Sequence, residues 1–299
     1  MGKRKICKIV FVILSIFLCV AFYELFGICI AYKKQPEVSN TIKKETQNDS
    51  WNERSENMER AVIIEKNPEA LLQRVRLIRN AKEDIILSTF AFQSDESGKL
   101  ILGALHDAAD RGVHIRLLVD GMESWIDMEG NPYFYGLSSH ENVEIKLYNK
   151  ANPLKPWKMM GRMHDKYLIA DGKRYILGGR NTYNYFLGDF PGHKNYDRDV
   201  LVVCDEPEKE NSVNQLLEYF ETIWEQEDSG YFHDNKKLAN RKSVKNAVLE
   251  LQNGYQKYFE ENKERICDTD YTDETFETEK IALVSNPIHT GSKEPVVWY

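Results

Sequence analysis

The sequence lacks the cysteine patterns that indicate a disulfide framework or a zinc site. It contains five cysteines in 299 residues, and Cys7, Cys19 and Cys29 lie in or beside the apolar N-terminus. Cys204 and Cys267 remain in the body, without a Cys-x-x-Cys or Cys/His spacing around them. Nothing in the cysteine spacing therefore indicates a bound metal.

The sequence also lacks an excess of basic residues. It has 40 Lys and Arg against 47 Asp and Glu, a formal net charge of -7. A protein that coats nucleic acid needs a concentrated positive surface to neutralise phosphates, so a general nucleic-acid-binding surface is disfavoured and only a local basic site remains open. The hydrophobic content of 42% excludes a disordered chain and supplies a core for one large domain or two small ones.

One long apolar run stands at the N-terminus. Basic residues precede the apolar run 9–32, which contains a single acidic residue, Glu24, and Lys33 and Lys34 follow it. At 1.5 Å per residue, a helix of this length crosses a hydrocarbon core of about 30 Å. We expect an uncleaved membrane anchor over residues 1–34, because no small-residue cleavage site stands out. The preceding basic residues predict a single-pass cell-membrane protein with its N-terminus inside and its body outside the cytoplasm, although the following lysines nearly balance them.

Behind the anchor, a polar linker and then an α/β domain are predicted. Residues 35–58 are nearly free of aliphatic side chains, which is typical of a linker. Helical and strand-like segments alternate over 59–279, which predicts a mostly parallel or mixed sheet flanked by helices. Asn67 is expected to cap the first helix, with Pro68 in its first turn. Residues 280–299 begin a new strand and loop and are expected to start a second half. Strands are predicted over 85–92, 113–121, 143–149 and 198–203, and helices over 67–84, 97–112, 207–226 and 233–266.

The stretch MHDKYLIADGKRYILGGRN, residues 163–181, carries the densest group of reactive side chains. Its pattern predicts two strands joined by a turn at Asp171 and Gly172. Because side chains alternate along a strand, His164 and Lys166 are expected on one face of the first strand. This places an imidazole beside a cation.

The end of the second strand is expected to complete a phosphate site. Gly178 and Gly179 carry no side chain, so a phosphate can approach the backbone, and Asn181 is predicted to point back into the site. A nucleophilic imidazole, a fixed cation and an amide donor are the groups that phosphodiester cleavage through a phosphohistidine needs. We therefore expect Lys166, Asn181 and Gly179 to hold the phosphate. The arrangement needs no metal or cofactor, and no carboxylate cluster is offered to bind a metal.

The spacing His-x-Lys-x4-Asp, followed by Gly-Gly-x-Asn, resembles the signature of the phospholipase D superfamily. Residues 69–92, 104–121 and 178–186 look similar to parts of bacterial cardiolipin synthases and related two-motif proteins. The resemblance implies that the histidine attacks phosphorus and that water or an alcohol then resolves the phosphohistidine. It implies structural roles for the aspartate and the first glycine of the signature. The matching positions are His164, Lys166, Asp171, Gly178, Gly179 and Asn181.

The resemblance also implies an acidic residue, near the start of the next strand, that hydrogen-bonds to the imidazole and orients it. Asp197 is the best match and Asp199 is the alternative. Both have the same strand parity, so the sequence does not separate them. We therefore count Asp197 with His164, Lys166 and Asn181 as the candidate catalytic set.

A basic and aromatic segment stands just before the motif. Lys155, Lys158 and Arg162 surround Trp157, a mixture that suits an anionic lipid headgroup beside acyl chains. A basic surface loop with no ligand is the alternative interpretation.

The superfamily resemblance implies a site built from two such motifs, and this sequence contains one. We expect the second from a downstream half of a longer chain or from a second copy of this one. The leading hypothesis is a phospholipase D-like phosphodiesterase or phosphatidyltransferase, with His164 as nucleophile or general acid. Its expected reaction is transfer between phosphatidylglycerols to make cardiolipin, or hydrolysis to phosphatidic acid. The alternatives are a nuclease of the same type that acts as a dimer, and a non-catalytic membrane-tethered lipid-binding or scaffold module.

Overall fold

The computed structural model describes residues 3–33, 59–158, 161–208, 210–233 and 236–285. The predicted linker 35–58 and most of the predicted second half, 286–299, lie outside these ranges. The chain divides into two compact units, which are described separately. The first comprises residues 1–49, 151–162 and 288–299, and the second comprises residues 50–150 and 163–287.

The described part of the first unit contains one long helix, α1, Lys3–Lys33. Its stretch Lys5–Ile30 contains an 18-residue window with a mean hydropathy of 2.6 and is long and apolar enough to cross a membrane. This fits the anchor predicted for the N-terminus. A short 3-10 turn, Pro156–Lys158, belongs to the same unit.

The second unit is built on a nine-stranded sheet. Its strands in chain order are β1 Arg60–Ile64, β2 Asp84–Thr89, β3 His114–Asp120, β4 Val143–Tyr148, β5 Tyr167–Ala170, β6 Arg174–Gly178, β7 Asp199–Val203, β8 Ser229–Tyr231 and β9 Phe276–Glu277. They pair in the order β8-β4-β3-β2-β5-β6-β7-β1-β9. Among the described strands, β3 is parallel to β2 and β4, and the other pairings are antiparallel.

The predicted α/β class is thus confirmed, with a mixed sheet. The mostly parallel alternative is wrong because β5 and β6 form a hairpin, which reverses the chain beside β2. The helices in chain order are α2 Asn67–Asn80, α3 Glu96–Asp110, α4 Gly121–Asp127, α5 Pro132–Ser138, α6 Ser212–Trp224, α7 Lys236–Ala239, α8 Lys242–Glu261 and α9 Lys263–Cys267.

Helices cover both faces of the sheet because its strands carry apolar side chains on both. Ile85 and Leu87 of β2 belong to the main core, which they share with buried residues of α2, α3, α5 and α8. Ile86 alternates with them and is also fully buried, on the face covered by α6. On that face the ring of Tyr167 lies 6.5 Å from the ring of Phe220 in α6. The motif stretch 163–181 therefore enters the sheet between two helical layers.

Two local predictions are wrong. Asn67 does not cap α2; the cap is Lys66, and the Asn67 side chain instead bonds to the Asn195 carbonyl and the Arg180 guanidinium. The strand predicted to start near residue 280 lies earlier, at β9, and residues 280–285 are irregular. Arg60 of β1 explains this position, because its guanidinium bonds to the Thr275 carbonyl and the Glu277 carboxylate.

The hairpin of β5 and β6 turns at Asp171 and Gly172, as predicted. Both residues have positive φ, 53° and 59°, and Lys173 N donates to the Ala170 carbonyl across the turn. The Asp171 carboxylate accepts hydrogen bonds at 2.8–3.2 Å from three consecutive backbone amides that lead into β2, those of Lys82, Glu83 and Asp84. Asp171 therefore ties the turn to the strand next to the hairpin.

We expect Asp171→Ala to lower the free energy of unfolding by about 2 kcal/mol, because three amides lose a charged acceptor and alanine tolerates positive φ poorly. Chemical denaturation of the detergent-solubilised chain measures the change. Asp205→Ala is the matched control, since it removes an exposed carboxylate that pairs with Arg174, and should change stability by less than about 0.5 kcal/mol. Equal effects of the two substitutions would contradict the assignment.

Candidate active site

The segment that carries the motif histidine is held at the carboxyl end of β3. Met163 N donates to the Asp120 carboxylate at 3.0 Å, while the other oxygen of that carboxylate accepts from Met122 and Glu123 at the start of α4. The Met163 sulfur also lies 3.2 Å from the Ser88 hydroxyl. Asp120 is fully buried. It therefore fixes the backbone immediately before His164.

His164 and Lys166 lie on the same side of the chain. The strand begins at Tyr167, so the prediction that they lie within it is wrong by one to three residues; they form its extended approach, where the Lys166 carbonyl accepts from Gly178 N. The Phe90 ring lies 4.7 Å from the His164 ring and 5.3 Å from Lys166 Nζ. The expected alternation holds, because the intervening Asp165 accepts a 2.8 Å hydrogen bond from Tyr219 of α6.

The two side chains differ in exposure. His164 is exposed, whereas Lys166 is buried and its ammonium donates to the His164 carbonyl at 2.5 Å. Burial lowers the pKa of Lys166 to about 8, against the attraction of Asp165, Asp197 and Asp120. Burial also raises the pKa of Asp165. A poorly solvated ammonium is a site where a bound anion gains much electrostatic energy.

The glycine pair is required for a different reason from the one predicted. A Cβ at Gly178 would lie 2.1 Å from an Asp199 carboxylate oxygen, and one at Gly179 would lie 2.1 Å from an Asp197 oxygen. Gly179 N also donates to the Arg198 carbonyl. A carboxylate thus occupies the space that a side chain at either glycine would need, and the expected phosphate contact at Gly179 stays a prediction.

The two candidate acidic residues have different surroundings. Asp199 is buried and pairs through one oxygen with both Arg74, at 2.9 Å, and Arg180, at 3.1 Å. Asp197 is partly exposed, rests on Gly179 and contributes to the field at Lys166. The environment thus separates residues that the sequence leaves equivalent, since Asp199 is committed to two arginines.

Asn181 lies where the Gly-Gly-x-Asn segment, the second arm of the motif, passes the chain just after β2; the His-x-Lys segment is the first arm. Its side-chain oxygen accepts from Ala91 N at 3.2 Å, next to the Phe90 that contacts His164 and Lys166. Burial raises the pKa of Tyr183, which also shares a hydrogen bond with the Asn181 side chain. The chain residues 90–91 therefore join both arms of the predicted site.

A cavity of about 310 Å³ opens beside the motif. Its polar side includes His164 and Lys166, and its apolar side includes Leu216 of α6 and Leu283 of the C-terminal segment. Leu283 N is held by the Gln215 side chain at 3.0 Å. The described residues therefore provide an apolar wall next to the cation.

The three basic residues predicted to contact a headgroup belong to the first unit and differ from one another. Lys155 is exposed and Arg162 is partly exposed, but Lys158 is 5% exposed. Lys158 is therefore corrected as a headgroup contact, because its side chain is enclosed by the protein.

Comparison with known proteins agrees with the motif. Residues 74–224, half of the chain, match the family described as cardiolipin synthase, PLD-like domain. The chain belongs to the phospholipase D superfamily. An uncharacterized Helicobacter pylori J99 protein is 31% identical over 212 residues, which cover 66% of this chain and 39% of the relative. Cardiolipin synthase C of Escherichia coli K12 is 29% identical over 171 residues, which cover 52% of this chain and 34% of that enzyme.

Among solved structures, NucT from Helicobacter pylori matches with a TM-score of 0.45 and 18% identity, over 58% of this chain and 99% of NucT. The chain spans about two fifths or less of the length of the two curated relatives, the Helicobacter pylori J99 protein and cardiolipin synthase C. The family match includes His164, Lys166, Asp171, Asn181 and both acidic candidates within its bounds.

Four side chains that organise this superfamily member's site were missed by the sequence reasoning. Arg180 and Arg74 pair with Asp199 beside the glycines, Asp120 holds Met163, and Phe90 contacts both His164 and Lys166. Arg180 stands inside the Gly-Gly-x-Asn signature, so its position was visible. Asp120 stands at the end of a predicted strand, where functional residues of such sheets gather.

We expect Lys166→Met to stabilise the fold by about 2 kcal/mol at pH 7, because it removes a buried ammonium. The pKa of Lys166 falls from 10.5 to about 8 on folding, so between these values the unfolded chain binds more protons and stability rises with pH. The gain is thus largest below pH 8 and vanishes towards pH 10.5. Chemical denaturation across this range measures it. Lys173→Met, in the exposed turn, is the control; a pH-independent loss in the Lys166 variant would contradict the burial cost.

We expect Asp199→Asn to destabilise the fold by about 3–5 kcal/mol, because it leaves Arg74 and Arg180 as uncompensated buried charges. Thermal or denaturant unfolding measures the loss. The control Glu277→Gln removes an exposed carboxylate paired with Arg60 and should cost less than about 1 kcal/mol. A small loss in the Asp199 variant would show that the arginines do not depend on it.

Proposed function

We propose that this chain supplies one half of a phospholipase D-type active site that cleaves or transfers phospholipid phosphodiesters. The observation that carries the proposal is that the exposed His164 imidazole and the buried Lys166 ammonium both lie against one ring, Phe90, within the superfamily spacing. Superfamily membership supports an enzyme that acts on phosphodiesters. The remaining steps are inferred from the chemistry of the residues.

In the proposed reaction an imidazole nitrogen of His164 attacks phosphorus. The N–P bond forms as the P–O bond to the leaving alcohol breaks, and the leaving oxygen takes a proton from a second histidine. Lys166 and the Asn181 amide hold non-bridging oxygens, where their charge and dipole are worth most in the transition state. Water or a lipid hydroxyl then gives its proton to the second histidine, attacks phosphorus and releases His164. By symmetry, His164 can instead act as the general acid for a nucleophile on the other half.

The second histidine comes, in this proposal, from another motif of the same kind. The curated relatives extend well beyond the part that matches this chain, which supports a second half within a longer protein. A second copy of the chain would supply the same groups by two-fold symmetry.

Phospholipid is the proposed substrate because the chain carries an apolar helix long enough to span a membrane and matches a cardiolipin synthase-like family. The reaction proposed first is phosphatidyl transfer between phosphatidylglycerols, and hydrolysis to phosphatidic acid differs only in the acceptor. Lys155 and Arg162 are proposed to contact the headgroup. The protein is placed in the cell membrane with its N-terminus inside and the catalytic unit outside the cytoplasm.

We expect His164→Ala to reduce turnover of labelled phosphatidylglycerol by at least about a thousandfold, because the nucleophile or its acid partner is lost. The protein is expressed from its full coding sequence and assayed in vesicles, with cardiolipin and phosphatidic acid separated by chromatography. His114→Ala is the matched control, since it removes an exposed histidine paired with Glu144. Equal turnover by the wild type and the His164 variant would overturn the catalytic assignment, and turnover of single-stranded DNA alone would overturn the lipid assignment.

We expect Asp197→Asn to lower turnover by about 10–100-fold with little loss of stability, because it weakens the orientation of a catalytic imidazole without leaving a buried charge. Turnover and unfolding are measured on the same preparation. The pH profile of turnover should shift as well, since a neutral amide stabilises the imidazolium less. An Asp197 variant with unchanged turnover and pH profile would remove Asp197 from the site.

A further inference from the structure

The surface of α1 is not uniform along its length. From Lys5 to Val20 the side chains are exposed, apart from a partly covered Ser15. From Ala21 onwards one stripe at helical spacing is covered, with Ala21, Glu24 and Gly27 on it. Since residues three apart share a helix face, the second part of the helix packs on protein while the first part does not.

The covering element is the segment 151–158 of the same unit. The Tyr23 hydroxyl donates to the Leu154 carbonyl at 2.8 Å. A Cβ at Gly27 would lie 2.4 Å from Cγ of Pro156, so only glycine permits this approach. The helix is therefore closely packed on, and hydrogen-bonded to, the segment that precedes the motif.

Glu24 lies on the covered stripe. One of its carboxylate oxygens is buried and has no hydrogen-bond partner among the described residues. An acidic side chain is costly in hydrocarbon, and here protein covers it. The covered stripe thus shields part of the single acidic residue of the apolar run.

The tip of this segment presents an apolar side chain beside a cation. Leu154 N is held by the Asn152 side chain at 2.9 Å, and Lys155 N bonds to the Asn152 carbonyl. This local turn leaves Leu154 77% exposed, next to an exposed Lys155. The backbone of an exposed leucine is therefore fixed from two sides, by Asn152 and by Tyr23.

We propose that the hydrocarbon-embedded part of α1 ends near Phe22, and that residues 23–30 together with 151–158 form a collar in the headgroup layer. Residues 5–22 are about 27 Å long as a helix, which matches a hydrocarbon core of about 30 Å when Lys5 and Lys8 extend their ammonium groups to the headgroup layer at the N-terminal end. Tyr23 then lies at the depth where tyrosine is enriched at membrane surfaces. Leu154 enters the upper acyl region while Lys155 remains among lipid phosphates.

A phospholipid surface is the occupant that these observations favour. The collar is continuous with a helix that fits a membrane span, and it combines an apolar tip with an adjacent ammonium. The inference rests on α1 crossing the membrane, as proposed above, and is independent of the reaction. It gives the segment 151–158, which ends six residues before His164 along the chain, a fixed depth at the bilayer.

A depth measurement tests the collar. The native cysteines are replaced by alanine, a single cysteine is placed at Leu154, Phe11 or Leu249, and each is labelled with an environment-sensitive fluorophore. The full chain is reconstituted in vesicles of phosphatidylcholine and phosphatidylglycerol that carry a nitroxide either near the headgroup or near the acyl-chain end. Leu249 is the matched exposed apolar residue on α8.

The Leu154 probe should lose about half of its emission to the headgroup-proximal nitroxide and less to the deep one, and the Phe11 probe the reverse. The Leu249 probe should be quenched by neither. Gly27→Leu should abolish quenching at position 154 and keep it at position 11, whereas Val12→Leu should change neither. Quenching at 154 no greater than at 249, unchanged quenching at 154 in the Gly27 variant, or no quenching at 11 would each overturn the collar. None of these readouts depends on turnover, so loss of the proposed enzyme activity would leave the result standing.

Discussion

The buried ion pairs of Asp199 with Arg74 and Arg180 are the interaction on which the rest of the site depends. One carboxylate joins α2, the start of β7 and the signature that follows β6. Because one carboxylate faces two guanidinium groups in a dry interior, losing it is far more costly than losing a surface pair. The backbone of Gly178 passes so close to this carboxylate that the position excludes any side chain. The position of Asn181, three residues later, follows from this course of the backbone.

Near these ion pairs the protein holds two ionisable side chains in poorly solvated positions. Lys166 is charged and poorly solvated, and Asp165 beside it is also buried, bonded to Tyr219. Both groups reduce stability when the site is empty, and the Lys166 ammonium is the one that gains from a bound anion. The exposed His164 completes the contrast, since the nucleophile or general acid of the proposed reaction must reach its substrate. A rigid ion-pair centre next to side chains that lower stability is common at sites where the needs of function oppose those of stability.

Much of the fold was predictable from local pattern, and the failures have a common physical origin. β3 was predicted over 113–121 and found at His114–Asp120, because a continuous apolar run between turn signals has few alternatives. The motif was recognisable because its chemistry is contained in nineteen residues of sequence. The roles of the glycines and of Asp199 were not recognisable. Arg74, which pairs with Asp199, lies 125 residues before it in the chain. The cap of α2 failed for the same reason, since Asn67 is taken by distant partners.

The hairpin turn has a consequence for how the site tolerates insertions. Tyr167 faces Leu177 in the ladder, and the side of each preceding side chain follows from this register. A shift of one residue would place Asp165 where Lys166 now stands and Met163 where His164 now stands, so an anion would replace the cation and the imidazole would move to the other face. The charge at this position is therefore set by the number of residues in the turn, and Asp171 fixes that turn to the start of β2.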